Sequence, residues 1–219
     1  MHSDDYFSYF NKRLNEVCKI NDRLFKKILL VAMLDTLARV PFPNENFNKK
    51  RFVGFIDKFA DWREKKLISL PQLSLLLETT TCSKLKDVVN NRLQGWQDGK
   101  VIYLLDDLEC GEMLSFASNE EVDLIKQARH SNLLYVYRNN LVHEFREPAY
   151  GMEYNDDDQP FYFSLTNSES ITAWELVYPV KFFEKIVRSS ITQLQLYTED
   201  NSIDPHTSYK FGSIWGSKL

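Results

Sequence analysis

The chain has 219 residues, of which 43% are hydrophobic and 26% are charged, and its formal net charge is −4. This length and composition suffice for one sizeable hydrophobic core, and the lack of a Gly/Ser/Pro-rich linker favours a single domain. The negative net charge excludes a protein that coats nucleic acid non-specifically, but it is compatible with a locally basic surface.

The cysteines indicate a reducing compartment. Cys18, Cys82 and Cys110 are odd in number, far apart and never in a Cys-x-x-Cys pair, so neither a disulfide framework nor a zinc site is indicated. Two early acidic residues stand where a signal peptide would carry positive charge, and the apolar run 28–34 is too short to span a bilayer. These features predict a soluble cytoplasmic protein without a membrane segment or a bound metal.

Hydrophobic periodicity predicts helices over most of the first 62 residues. A first helix begins near Asp4, Asn21-Asp22 offers a break and a new N-cap, and a second apolar helix ends before Pro41. A third amphipathic helix is predicted over 47–62. Its apolar positions, which we expect in the core, are Phe52, Phe55, Ile56, Phe59 and Trp62.

The N-terminal region carries a basic excess. Residues 1–66 contain fourteen Lys and Arg against nine Asp and Glu, a balance of +5. Within it, Lys49, Lys50 and Arg51 form a cluster with no sequence-adjacent acid, and we expect it to contact RNA phosphates. The alternative is an ordinary solvated helix surface.

The central region gives weaker signals until a long helix is predicted. Pro71 can open a short helix and residues 95–99 form a turn, but the segment 67–118 is otherwise ambiguous. From Asn119, a residue suited to capping, one helix is predicted to run through Phe145 before Pro148 prevents continuation.

That helix ends in the sequence Arg138-Asn139-Asn140-Leu141-Val142-His143. The stretch combines a permanent cation, an amide and a titratable base, and its arginine, polar residue and histidine resemble the signature of HEPN domains. The resemblance covers firmly only this helix. It implies a helical bundle and a dimeric, metal-independent ribonuclease that uses no cofactor.

The residue types agree with RNA cleavage by the 2′-hydroxyl. His143 can transfer protons near neutral pH, and Arg138 can stabilise charge on the phosphate in the transition state. Asn139 is expected to hold the imidazole or bind phosphate. The products would be a 2′,3′-cyclic phosphate and a 5′-hydroxyl. The structural alternative is an exposed arginine paired with Glu144 or Glu147, beside a histidine that interacts only with the helix end.

Helix geometry predicts a shared site between two chains. On a straight α-helix, Arg138 and His143 are separated by about 140° around the axis, so one helix would not aim both at one phosphate. A twofold dimer would bring two copies of the motif together. Upstream on the same predicted helix, Arg129 and His130 are candidates for extending the RNA-binding surface, with a solvated helix face as the alternative.

The C-terminal third changes character. Two aromatic and β-branched runs over 161–178 predict a β-hairpin insertion, interpreted as a flap beside the motif helix, and a last helix is predicted from Pro179 through Leu196. Residues 147–200 carry ten acids against three bases, a balance of −7, so RNA is expected to approach from the N-terminal side.

The sequence as a whole predicts a mainly α fold, an HEPN-like helical bundle forming one domain over 1–199, followed by an irregular tail over 200–219. By resemblance, the function is that of a ribonuclease toxin or antiviral defence effector, with a homodimer and an antitoxin or defence-complex protein as partners. Two alternatives stay open. One is a noncatalytic dimerisation or nucleotide- or protein-binding module, and the other is an accessory subunit of a defence complex.

Overall fold

The computed structural model describes residues 3–81, 83–148, 152–153, 157–166 and 172–208. They form a mainly helical structure with two small antiparallel sheets, which confirms the predicted mainly α class. The backbone divides into two compact units, one of Met1–Asp61 with Phe183–Leu219 and one of Trp62–Phe182. The division falls inside the last long helix. The single domain over 1–199 stays a prediction.

The first unit contains the N-terminal helices α1 (Ser3–Val17), α2 (Arg23–Leu37) and α3 (Asn48–Phe59). The break between α1 and α2 lies where the sequence predicted it, because the Asp22 side chain caps α2 by accepting from Phe25 N at 2.9 Å. Helix α1 packs on α2, and α2 packs on α3.

The core of this unit follows the predicted apolar stripes. Of the 47–62 positions expected in the core, those that lie in this unit are all buried, namely Phe52, Phe55, Ile56 and Phe59. Helix α2 departs from the expectation of an apolar surface all round, because Leu29 is 41% exposed while Lys27 is buried. Its stripe is therefore one-sided, as in an amphipathic helix that packs along one face.

The last long helix is α9 (Val180–Asp200), and it is longer than the predicted 179–196 helix. A short 3₁₀ turn follows over Pro205–Thr207, within the segment predicted to be irregular. Residues 209–219 lie outside the described part of the chain, as does Cys82. Cys18 and Cys110 are free thiols. Among the described residues, no helix has the length and apolar character needed to cross a membrane.

The second unit is built from short helices and short strands. In chain order these are β1 (Leu67–Ile68), α4 (Leu70–Leu76), α5 (Lys84–Gln94), β2 (Ile102–Tyr103), β3 (Leu108–Glu109), α6 (Cys110–Leu114), α7 (Val122–Gln127), α8 (His130–Asn139), β4 (Phe161–Thr166) and β5 (Thr172–Val177). Pro71 lies in the first turn of α4, as predicted, and Ser69 caps that helix. One hydrophobic core joins α4, α5, α6 and α7.

The predicted hairpin is confirmed, and of the roles left open for it, shielding the site, contacting a partner or covering the core, the burial of its first strand supports the last. Strands β4 and β5 pair antiparallel, with Phe161 opposite Val177 and Thr166 opposite Thr172. Strand β2 adds to the other side of β4 and completes a three-stranded sheet in the order β2-β4-β5. Phe161 is fully buried, so the hairpin is part of the core of this unit.

The long helix predicted from Asn119 through Phe145 is wrong, because the chain breaks between α7 and α8. Arg129 adopts an extended conformation and forms an isolated antiparallel bridge with Ile68. In addition, Ser69 N donates to Ala128 O at 2.9 Å. These non-local hydrogen bonds hold the backbone out of the helical conformation that the local sequence favours.

A buried polar cluster ties four segments of this unit together. His130 Nε2 lies 2.7 Å from Asp107 Oδ2, and Tyr162 Oη donates to the same oxygen at 2.6 Å. The other carboxylate oxygen of Asp107 accepts from Leu70 N at 3.0 Å, while Tyr162 Oη is 2.8 Å from Ser69 Oγ. Burial, followed by the nearby Asp107 carboxylate, raises the pKa of Tyr162 well above its usual range. The hydroxyl therefore keeps its proton and acts as a donor.

We expect Tyr162→Phe to lower the free energy of unfolding by about 1–3 kcal/mol, because it removes a donor from a buried carboxylate and leaves that oxygen with one partner fewer. Urea unfolding followed by circular dichroism measures the change. Tyr103→Phe is the matched control, since Tyr103 is 44% exposed, and we expect it to change stability by less than about 0.5 kcal/mol. Equal effects of the two substitutions would contradict the assigned role of the cluster.

Candidate active site

The structure brings the three residues of the Arg138–His143 motif into direct contact. Arg138 Nη1 donates to Asn139 Oδ1 at 2.9 Å and lies 3.1 Å from His143 Nε2. Arg138 and Asn139 are half-buried, whereas His143 is exposed. The cation, amide and imidazole therefore form one compact group at the C-terminal end of α8.

A π-helical turn explains this arrangement. After Asn139 the backbone continues through Asn140–Glu144, and Phe145 N donates to Asn140 O, five residues earlier. In a turn closed by such a bond, residues five positions apart lie on nearly the same side of the helix. On an α-helix, residues with this separation lie on different sides. Arg138 and His143 are separated by five positions, so the π-turn aligns them within one chain. The geometric argument for a dimer was therefore wrong, and the dimer itself stays a prediction.

The backbone leaves the π-turn through an uncommon conformation. Phe145 adopts a left-handed conformation with φ of 55° and ψ of 35°, and its side chain is 61% exposed. For a non-glycine residue this conformation costs about 1 kcal/mol or more. The Asn140 side chain supports the turn by donating to Val136 O at 2.9 Å. π-turns and left-handed outliers are frequent at functional sites.

The contact between Arg138 and His143 sets the state of the imidazole. A guanidinium group has only donors, so Nε2 must accept and the remaining ring proton must lie on Nδ1. The contact therefore corresponds to the tautomer with the proton on Nδ1. In this state Nε2 has the lone pair that a general base requires, although that lone pair is occupied by the Arg138 donor.

Two neighbouring carboxylates each have a partner of their own. Glu144 pairs with Arg146 at 2.6 Å, and Glu147 accepts a hydrogen bond from the Tyr137 hydroxyl. The guanidinium carbon of Arg138 lies 6.0 Å from the centre of the Tyr135 ring. This distance is at the outer limit of a cation–π contact.

The predicted basic cluster lies in the first unit, at the beginning of α3. Lys49 and Lys50 are exposed, and Lys50 Nζ is 5.3 Å from the centre of the Phe47 ring. Arg51 is half-buried and donates to Glu45 O at 3.0 Å and to Asn48 Oδ1 at 2.6 Å. The two lysines are thus accessible to an external anion, while Arg51 already has local acceptors.

The expectation that His130 extends an RNA-binding surface is wrong. His130 is completely buried, because its ring completes the Asp107 cluster. Arg129 is half-buried and its backbone bridges to Ile68. One signal in the sequence was available: Leu134 follows His130 by four positions, on the same side of α8, and both are buried.

Sequence reasoning also missed Asp107, Tyr162 and Ser69, which come from three distant segments and carry no motif. Within the described residues, no group of three His, Cys, Asp or Glu side chains is arranged to hold a metal ion. No protein-family model, curated protein or solved structure matches the chain.

We expect His143 to be predominantly the Nδ1–H tautomer at about pH 9, where a histidine is ordinarily neutral. Long-range ¹H–¹⁵N correlation spectra report which ring nitrogen carries the proton. In Arg138→Ala the donor is lost, so the Nε2–H form should gain population. Finding Nε2 protonated in the parent protein at this pH would contradict the hydrogen bond.

Proposed function

We propose that the protein is a metal-independent endoribonuclease of the HEPN type, acting in the cytoplasm, with Arg138, Asn139 and His143 as its catalytic group. The observation that carries the proposal is the 3.1 Å contact between Arg138 Nη1 and His143 Nε2 on an accessible helix end. The contact supports the proposal because a guanidinium can bind phosphate and an imidazole can transfer protons, and RNA transphosphorylation requires these two functions side by side.

In the proposed reaction, a phosphodiester oxygen accepts from the Arg138 guanidinium and replaces the His143 nitrogen as its partner. Nε2 is then available to remove the proton from the 2′-hydroxyl. The 2′-oxygen attacks phosphorus, the bond to the 5′-oxygen breaks, and the departing oxygen takes a proton from water, while Nε2 returns its proton to the hydroxide that remains. Arg138 stabilises the additional negative charge on the phosphorus oxygens, and Asn139 orients the guanidinium through its Oδ1.

The wider proposal follows the family resemblance. The helices around the motif would correspond to an HEPN-like bundle, and the biological role would be that of a toxin or antiviral effector restrained by a partner protein. A homodimer is included, although one chain already assembles the catalytic group. In a dimer the second copy would serve RNA binding or stability.

Substitution of the motif tests the proposal directly. We expect His143→Ala and Arg138→Ala each to lower cleavage of total RNA by roughly a hundredfold or more, because each removes a proton-transfer or charge-stabilising group. Folding should be unchanged, since both side chains lie outside the buried core. Cleavage should continue in a chelator, and the products should end in a 2′,3′-cyclic phosphate and a 5′-hydroxyl.

Arg92→Ala is the matched control, because the Arg92 side chain is 58% exposed on α5 and pairs only across the surface with Glu112. It should cut RNA like the parent. If all four proteins cleave equally, the activity comes from a contaminant or another site. If the parent binds RNA without cutting it, the protein is a binding module and the catalytic assignment fails.

The basic cluster makes a separate prediction about RNA affinity. Neutralising Lys49, Lys50 and Arg51 to Ala should reduce the slope of log affinity against log salt by about one for each true phosphate contact. Because Arg51 already has local acceptors, we expect most of the change from the two lysines. Filter binding of RNA to His143→Ala at several salt concentrations measures the slope. An unchanged slope would identify the cluster as an ordinary solvated surface.

A further inference from the structure

The second unit has an open pocket of about 400 Å³ beside its three-stranded sheet. Helix α5, the turn that follows it and the outer strand β5 form the walls. The volume lies within the range typical of small-molecule sites. The lining residues combine indole rings with short polar side chains, and they are Asn90, Leu93, Gln94, Trp96, Asp98 and Trp174. None of them belongs to the Arg138–His143 motif, so the pocket is separate from the proposed RNA site.

Two tryptophans form an aromatic corner in this pocket. Trp96 and Trp174 are half-buried, and their rings are nearly perpendicular, with centroids 5.1 Å apart and an interplanar angle of 88°. Trp96 also packs on the ring of Tyr162 at 5.1 Å, and the Tyr162 hydroxyl is bonded to Asp107 in the buried cluster. Because the core of the unit holds these rings, a ligand would meet a platform that is already in position.

Helix α5 presents two amide side chains next to this corner. Asn90 and Gln94 are four positions apart and therefore lie on the same side of the helix. Asn90 Oδ1 accepts from Ser74 Oγ at 3.2 Å, which holds the amide and leaves its NH₂ group as a donor. Gln94 is exposed, and its side chain has no hydrogen-bond partner among the described residues. It can therefore both donate to a ligand and accept from one.

One carboxylate gives the described wall its only formal charge. Asp98 Oδ2 accepts from Thr166 Oγ1 at 3.3 Å, and Gly99 N donates to Ser164 Oγ at 2.8 Å, so the turn is fastened to β4. Hydrogen bonds from Ser164 first, and then from Thr166 and Gly99 N, lower the pKa of Asp98. Its carboxylate is therefore ionised at neutral pH. Because no cation lines the described wall, the pocket disfavours a phosphate or carboxylate ligand and accepts a neutral one.

We propose that this pocket binds a neutral hexopyranose sugar. A pyranose ring has C–H groups on its faces and hydroxyl groups around its rim. One face would pack on the indole of Trp174, and the hydroxyls would form hydrogen bonds with the amides of Asn90 and Gln94. A nucleobase could also stack here, but in RNA or a nucleotide it would bring a phosphate towards the Asp98 carboxylate. Sugar binding would be a function distinct from RNA cleavage.

A set of small sugars tests the class of ligand. The methyl β-glycosides of glucose, galactose and mannose are neutral and differ in the orientation of single hydroxyl groups. Indole ¹H–¹⁵N signals of Trp96 and Trp174 report binding at this pocket, separately from any binding at His143. We expect at least one sugar to bind with a Kd of about 10 mM or lower. Uridine 5′-monophosphate should bind at these indoles at least about threefold more weakly.

A matched pair of glutamine substitutions tests the hydrogen bonds. Gln94→Ala should weaken binding of the best sugar at least about threefold, the equivalent of one hydrogen bond. Gln97→Ala is the control, because Gln97 is also exposed but does not line the pocket. It should bind like the parent. Both positions lie on the surface, so we expect both variants to fold like the parent.

The stacking surface has its own test. Trp174→Leu keeps an apolar side chain but removes the ring, and it should weaken binding at least about fivefold, with the Trp96 indole signal as the readout. Trp174→Phe keeps a smaller ring and should lose less. Circular dichroism melting shows whether these two variants keep the parent fold, and the glutamine pair tests the same pocket without altering its rings.

Four results would overturn the proposal. The first is no change of either indole signal with any of the sugars up to about 50 mM. The second is equal affinity of Gln94→Ala and Gln97→Ala for the best sugar. The third is parent-like binding in a folded Trp174→Leu variant. The fourth is tighter binding of uridine 5′-monophosphate than of every sugar at these indoles, which would identify a nucleotide pocket.

Discussion

The buried carboxylate of Asp107 is the interaction on which the second unit depends. One oxygen accepts from the backbone at the beginning of α4, and the other is shared by His130 at the beginning of α8 and Tyr162 in β4. A helix, a loop, a second helix and a sheet therefore meet at one side chain. Hydrogen bonds to a buried charged group contribute more than neutral ones, and an unsatisfied buried carboxylate would cost several kcal/mol. Short elements with little core of their own are thus fixed in a single arrangement.

The same cluster determines where the motif helix begins. Because His130 is fixed at Asp107 and Arg129 is extended, α8 starts at a defined position and rotation. Its other end is defined by the π-turn and the left-handed Phe145. Between these ends only ten residues remain, so Arg138 has little freedom to rotate away from His143. The cost of the uncommon backbone at Phe145 is small compared with the packing and hydrogen bonds that hold the helix at its start.

Local patterns predicted the N-terminal helices and the hairpin well, while contacts between distant residues decided where the predicted helix over 119–145 breaks. The Asp22 cap and the hairpin over 161–178 depend on residues that are close together in the sequence, and both were predicted from it. The break before α8 was not found from the sequence, because Ala128, Arg129 and His130 are residue types that a helix accepts. Their hydrogen bonds to distant partners interrupt the helix there. The assignment of Arg138, Asn139 and His143 to a catalytic site stays a prediction, and the contact among them was not foreseen within one chain, since a π-turn has no clear sequence signature.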